Sequence, residues 1–147
     1  MQSTLAYAPS VKADGVFHGA MREGRVAMVD ARDVAAVAAA VLTGRGHEGK
    51  TYTVTGGEAL SARDVADKLS AALGKAVRYL DVPAGELNRR MLEAGLPPWL
   101  ADDLAALHVF FSTGGGAGTT RVVRDLTGSP PRTYDAFALE HAAAFTA

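Results

Sequence analysis

Apolar positions along this chain fall into stretches of helical and of extended rhythm. Val65, Leu69 and Leu73 stand four apart, the spacing of one helical face. Ser61 precedes them with Asp64 three residues on, a near capping box in which hydroxyl and carboxylate satisfy N–H groups that a helix leaves unpaired. Gly74 then ends the helix. An alanine-rich helix is predicted from Arg32 to Leu42, with Asp30 or Asp33 at its start and Gly44 as its stop. Ala84 to Ala94 carries Leu87, Met91 and Leu92, and Pro97-Pro98 opens a further helix to about Phe111, proline suiting a first turn. A short helix over Thr120 to Leu126 ends at Gly128, and a last one runs from about Tyr134 to Phe145 behind Thr133.

Extended segments are fewer. Val26 to Val29 is a short apolar run before Asp30, Thr51 to Thr55 is β-branched and aromatic, and Val77 to Val82 alternates. Residues 1 to 24 are mixed, with Pro9, Gly15, Gly19 and Gly24 interrupting any long period. Strand, helix, strand, helix, strand and a helical tail make a mixed α/β chain.

Composition narrows the chemistry. The 147 residues are the size of one domain. The formal net charge of -1 gives no electrostatic case for nucleic acid or an acidic membrane. There is no cysteine, which excludes disulfides, thiolate metal sites and a cysteine nucleophile. No apolar run reaches the roughly 20 residues of a membrane helix. The absence of cysteine fits an expected cytoplasmic location, and the first residues lack the pattern of a signal peptide.

The stretches GRVAMVDARDVAAVAAAVL and GKTYTVTGGEALSARDVADKLSAALGKAVRYLDVP, with the later AGLPPWLADDL and LTGSPPRTYDAFALEHAAAF, resemble the C-terminal portion of NmrA-like, NAD(P)H-quinone-reductase-like atypical short-chain dehydrogenases/reductases. The resemblance runs from about Ala8 to Phe145. It implies a partial, helix-rich remnant of an extended Rossmann-type fold, with a few short strands and a C-terminal helical substrate lobe. Residues 1–60 would be the last strand and helix units of the Rossmann-like part, and residues 61–147 the substrate-binding lobe. Complete family members use NAD(P)H, cradled by a glycine-rich turn between a strand and a helix. These 147 residues contain no such turn in that context, so no cofactor is expected for the chain alone. Gly114-Gly115-Gly116-Ala117-Gly118 follows the apolar ALHVFF and is expected to be a flexible connection, while Gly56-Gly57 is expected to be a structural turn.

Candidate site residues are modest in number. Arg32 either holds an anionic ligand or pairs locally within the helix cap, and the ordinary behaviour of caps favours the second. None of the four histidines has metal-ligand spacing, so no metal is expected; His47 and His141 are expected to be exposed. His18 and His108 could act as acid or base, or be ordinary satisfied histidines. The apolar set of Phe17, Met21, Met91, Leu96, Trp99, Leu100, Phe110 and Phe111 could line a pocket, although core packing is the default reading. The substrate-binding candidates are therefore Phe17, His18, Met21, Trp99, His108 and Phe111, with no catalytic residue assigned. No tyrosine has a lysine four residues on: Tyr7 is followed by Val11, with Lys12 next.

The expected function is the small-molecule substrate-binding part of an NAD(P)-dependent oxidoreductase. Its exposed apolar surface would be covered by self-association or by a chain supplying further strands. The competing expectation is a free-standing binding or cofactor-independent accessory protein acting as a homodimer.

Overall fold

Two short sheets organise the chain, whose computed structural model describes residues 1–146. In the first, β1 (Val16–Gly19) and β4 (Arg78–Asp81) run parallel, pairing Val16 with Arg78, Phe17 with Tyr79, His18 with Leu80 and Gly19 with Asp81. Parallel neighbours need a long crossover. Here it contains β2 (Arg25–Val26), α2 (Ala31–Thr43), β3 (Leu60–Ser61) and α3 (Ala62–Leu73). β2 and β3 form the second sheet, antiparallel, with Arg25 opposite Ser61 and Val26 opposite Leu60. The helices α4 (Ala84–Glu93), α5 (Pro98–Ser112), α6 (Val122–Thr127) and α7 (Tyr134–Glu140) follow. The architecture is mixed α/β and helix-rich, as the residue pattern implies.

Local chemistry sets several helix ends. Ser61 and Asp64 form a full capping box, each side chain taking the other's backbone N–H. Asp30 caps α2 by accepting from the Arg32 N–H, and Thr133 caps α7 by accepting from Ala136. Gly74 and Gly128 end α3 and α6 in the left-handed region.

One hydrophobic core joins both sides of residue 60. Val11, Phe17, Leu69, Tyr134, Phe137 and Phe145 are all essentially inaccessible, and Val65, Ala66 and Val77 pack with them. Burying each of the larger side chains stabilises the fold by roughly 1.5–3 kcal/mol. Tyr134 enters this core without stranding its hydroxyl, which donates to the Thr4 hydroxyl at 2.9 Å.

Several elements differ from the sequence expectation. The opening residues hold a 3-10 helix (Gln2–Tyr7) and α1 (Ala8–Asp14); Pro9 starts that helix rather than breaking it. Residues 51–55 form no strand, because the segment meets no ladder partner among the described residues. It is tied instead by Thr120, whose hydroxyl donates to the Thr53 carbonyl and whose N–H donates to the Thr55 hydroxyl. Of Val26 to Val29, only Val26 lies in a strand. The last helix stops at Glu140 and tightens into a 3-10 turn (Ala142–Phe145), which seats Phe145 in the core. The glycine-rich connection after α5 is docked rather than free. The Gly116 carbonyl accepts from the Ala27 N–H at 2.8 Å, and a side chain at Gly115 would run into the Phe110 ring.

Candidate functional site

The carboxyl ends of β1 and β4 open onto a cleft of about 360 Å³. Ala20 and Arg22 wall it after β1, and Asp81, Val82, Pro83 and Ala84 after β4. Val109, Ser112 and Thr113 close it from the end of α5. Crevices at the carboxyl ends of parallel strands are where open α/β sheets ordinarily take ligands, because the chain turns away there and leaves room.

The wall after β1 is held in an unusual way. Three consecutive N–H groups donate to side chains from other elements. Ala20 donates to His108 Nδ1 at 3.1 Å, Met21 to the Tyr79 hydroxyl at 3.0 Å and Arg22 to Asp81 Oδ1 at 2.7 Å. The Tyr79 hydroxyl in turn donates to the same Asp81 oxygen at 2.6 Å, linking two of the acceptors. Arg22 sits at φ 50, the left-handed region that a residue with a β-carbon rarely adopts unless its neighbours hold it.

Burial, followed by the hydrogen bond to Asp81, pushes the Tyr79 hydroxyl well above its ordinary range, so it remains a donor. Burial pushes the His108 imidazole below its ordinary value, with Asp81 pulling the other way. Because Nδ1 accepts from Ala20, the neutral ring carries its proton on Nε2.

The sequence-derived candidates do not gather in one place. His108 reaches the cleft wall, and Met21 lies in it with a buried side chain. Phe17 belongs to the core: it is 1% exposed, with Tyr7 stacked on it at 4.4 Å between ring centroids and Tyr79 tilted at 5.5 Å. His18 points away from His108. Alternate strand residues share a face, and the His108 ring lies on the Gly19 face of β1. Phe111 is partly buried against Gly116 and tilted on Phe110. Trp99 is 66% exposed at the opposite end of α5, about 18 Å along the axis from Phe111 at the usual helical rise. Of the wider apolar set, Met91, Leu96 and Leu100 are partly buried and Phe110 is exposed.

Tyr79, Asp81 and Arg22 were missed as site residues. The usable signal was Tyr-x-Asp at a strand end, since residues two apart share a face.

Other polar clusters satisfy themselves. Arg32 gives two bonds to the buried Asp30 carboxylate, at 2.8 and 3.0 Å, and one to Glu140 at 2.7 Å. These contacts support the local-pairing reading and hold the Asp30 carboxyl well below the usual carboxylate range. The buried Asp33 carboxylate accepts from the Arg132 backbone N–H and guanidinium. His47 bonds to Tyr52, and His141 stacks on Phe137, each partly buried rather than free. A shallow groove beside Leu60 is lined by Arg25, Glu58, Asp64 and Lys68, whose charges pair with one another. Among the described residues no group of three histidine or carboxylate side chains is placed to hold a metal ion, and no helix is long and apolar enough to cross a membrane.

A dinucleotide pyrophosphate needs a glycine turn that leaves a strand and enters a helix. The glycine segments present do not fit it. Gly114 to Gly118 follows α5, and the Phe110 and Phe111 rings lie where β-carbons of Gly115 and Gly116 would be. Gly56 is pressed on the Met28 carbonyl, and the chain continues to β3.

No protein-family model matches the chain. Individual proteins do. It is 43% identical over 147 residues to the NAD(P)H azoreductase of Xenophilus azovorans, covering 100% of this chain and 51% of that protein. The crystal structure of the NADPH-dependent quinone oxidoreductase QOR2 from Escherichia coli superposes with a TM-score of 0.88 at 34% identity, covering 95% of this chain and 50% of that one. The Citrobacter sp. triphenylmethane reductase complexed with NADP(H) gives 0.80 at 28% identity, covering 96% and 48%. The chain thus spans about half the length of the curated relatives it matches. Its matches make it the counterpart of the C-terminal part of NmrA-like, NAD(P)H-quinone-reductase-like proteins.

Proposed function

We propose that this chain forms the substrate-facing part of an NAD(P)H-dependent oxidoreductase, with the acceptor substrate lying in the cleft after β1 and β4. The observation that carries this reading is the place of the cleft: it lies at the carboxyl ends of parallel strands, in a chain homologous along its length to NAD(P)H-dependent reductases. The names of the relatives point to conjugated acceptors, an azo compound, a quinone and a triphenylmethane dye. Ala20, Val82, Pro83 and Val109 supply an apolar lining for such a molecule, and Arg22, Asp81 and Ser112 supply polar groups at its rim. Met21 and His108 act on the substrate by fixing the wall that faces it. NAD(P)H, when bound in a complete enzyme of this class, supplies the hydride. Its pyrophosphate falls to residues other than the glycines of this chain.

The test pairs two titrations of the purified chain followed by amide NMR. A simple naphthoquinone is expected to shift Ala20, Arg22, Asp81 and Ser112, and NADPH is expected to show no tight binding and support no quinone reduction. Strong NADPH binding, or quinone shifts that bypass these residues, overturns the reading.

A second reading, a homodimeric small-molecule-binding protein, is favoured by one observation. Trp99, Leu107, Val109 and Phe110 of α5 and Leu92 of α4 are all more than 40% exposed. An apolar surface of that kind is ordinarily covered by a partner. Light scattering with and without NADPH separates the two: a well-behaved dimer indifferent to NADPH favours the second, and an aggregating or loosely folded monomer favours the first.

A further inference from the structure

We propose that His108 is a proton-operated latch on the loop that follows β1, holding Ala20 while neutral and releasing residues 20 to 24 when protonated. The argument starts from the three successive N–H groups of Ala20, Met21 and Arg22. All three donate outward, to His108 Nδ1, Tyr79 and Asp81. Of these acceptors, only the imidazole exchanges acceptor for donor near neutrality. A proton on Nδ1 would set one N–H against another at 3.1 Å, with no lone pair left to accept.

The ring is seated against the strand that leads into the loop. Its Cε1 and Nδ1 atoms lie 3.1 and 3.2 Å from where a β-carbon on Gly19 would be, so it rests directly on the strand backbone. The loop also holds Arg22 in the left-handed region, a conformation that its tethers maintain. Losing one of three tethers therefore frees a segment that already favours another shape. The movement has room beside it, because Ala20 and Arg22 wall the cleft.

The charged surroundings decide when the latch opens. From β4, Tyr79 and Asp81 face the ring, and Asp81 favours the protonated form. From β2, Arg25 is engaged with Asp64. On α4, packed along α5, Glu86 and Glu93 are paired with Arg89 and Arg90 of the same helix, and Asn88 bonds to Asp102 of α5. The loop itself carries Arg22 and Glu23, both exposed, with Glu23 paired to Arg63. Burial of the ring outweighs the pull of Asp81, so the latch is closed at neutral pH and opens below 6.5, the ordinary histidine value.

The inference does not depend on what the cleft binds, because its readout is the loop itself. The experiment is a pH titration of the whole chain by NMR, following the His108 ring proton and the amides of Ala20, Met21 and Arg22. The expected result is a shared midpoint below 6.5, with amide exchange at Ala20 faster by roughly tenfold beyond its ordinary pH dependence, the factor for loss of one hydrogen bond. In His108→Asn the amide oxygen takes the place of Nδ1 without titrating, so the loop amides are expected to stay fixed through that range. A ring that titrates above 6.5, a ring that titrates while Ala20 stays still, or loop amides that move equally in the asparagine variant would each overturn the latch. The unmodified chain decides the first two outcomes even where the variant folds poorly.

Discussion

Removing one oxygen from Tyr79 tests whether the loop after β1 is tied down as strongly as its hydrogen bonds suggest. Tyr79→Phe keeps the ring, and with it the tilted contact with Phe17 at 5.5 Å. It deletes the acceptor of the Met21 N–H and the donor to Asp81. The Met21 side is the costly one. Met21 is buried at 8% exposure, and an orphaned buried N–H costs about 1–3 kcal/mol. The Asp81 side costs little, because that carboxylate is exposed and water replaces the lost donor. The net expectation is a loss of about 2 kcal/mol, equivalent to a fall in Tm of about 4–8 °C for a chain of this size. Urea unfolding followed by circular dichroism reads the change as a lower midpoint at constant slope. Hydrogen exchange should place the weakening at Met21 and its neighbours. A variant within 0.5 kcal/mol of the parent would refute the argument that Met21 depends on this hydroxyl.

Other perturbations probe the remainder of the fold. Asp30 is fully buried, caps α2 and binds Arg32, so Asp30→Ala should cost about 1–2 kcal/mol for the cap alone; an unchanged melting temperature would contradict this. Because its folded pKa is depressed, the stability that Asp30 adds is fully present above its unfolded value of 3.8 and is lost as pH falls below it. Acid titration of the parent against Asp30→Asn should show that loss only in the parent. Gly24→Ala would drive a β-carbon to 2.2 Å from the Phe111 carbonyl oxygen, whereas Gly118→Ala meets nothing within 4 Å. Thermal melts should therefore show about 1–3 kcal/mol of destabilisation for the first and little for the second, and equal effects would mean that the Gly24–Phe111 contact is not tight.

The helices were the legible part of this chain because their signals are local. Ser61 with Asp64, Asp30, Thr133, Gly74 and Gly128 act on backbone groups only a few residues away, so reading them requires no knowledge of the fold. The same is true of the pairing between Asp30 and Arg32. The family resemblance was legible for a different reason, since it rests on the order and spacing of several such local pieces.

Strands and site depended on distant partners. Thr51 to Thr55 has strand composition but finds no ladder, whereas β1 forms where Val16 to Gly19 can lie along Arg78 to Asp81, some 60 positions later. Phe17, His18, Met21, Trp99, His108 and Phe111 look alike as candidates in one dimension. Folding sends Phe17 into the core, turns His18 to the other face of its strand, leaves Trp99 at the far end of α5 and brings His108 against Ala20 across 88 residues. The sequence by itself determined the helices after residue 30 to within a turn, their side-chain caps and the chemical character of the chain, because those follow from contacts within a turn or two. Only the tertiary structure decided the cleft and the acceptors that hold its wall, because Ala20, Tyr79, Asp81 and His108 meet through long-range packing that no local pattern encodes.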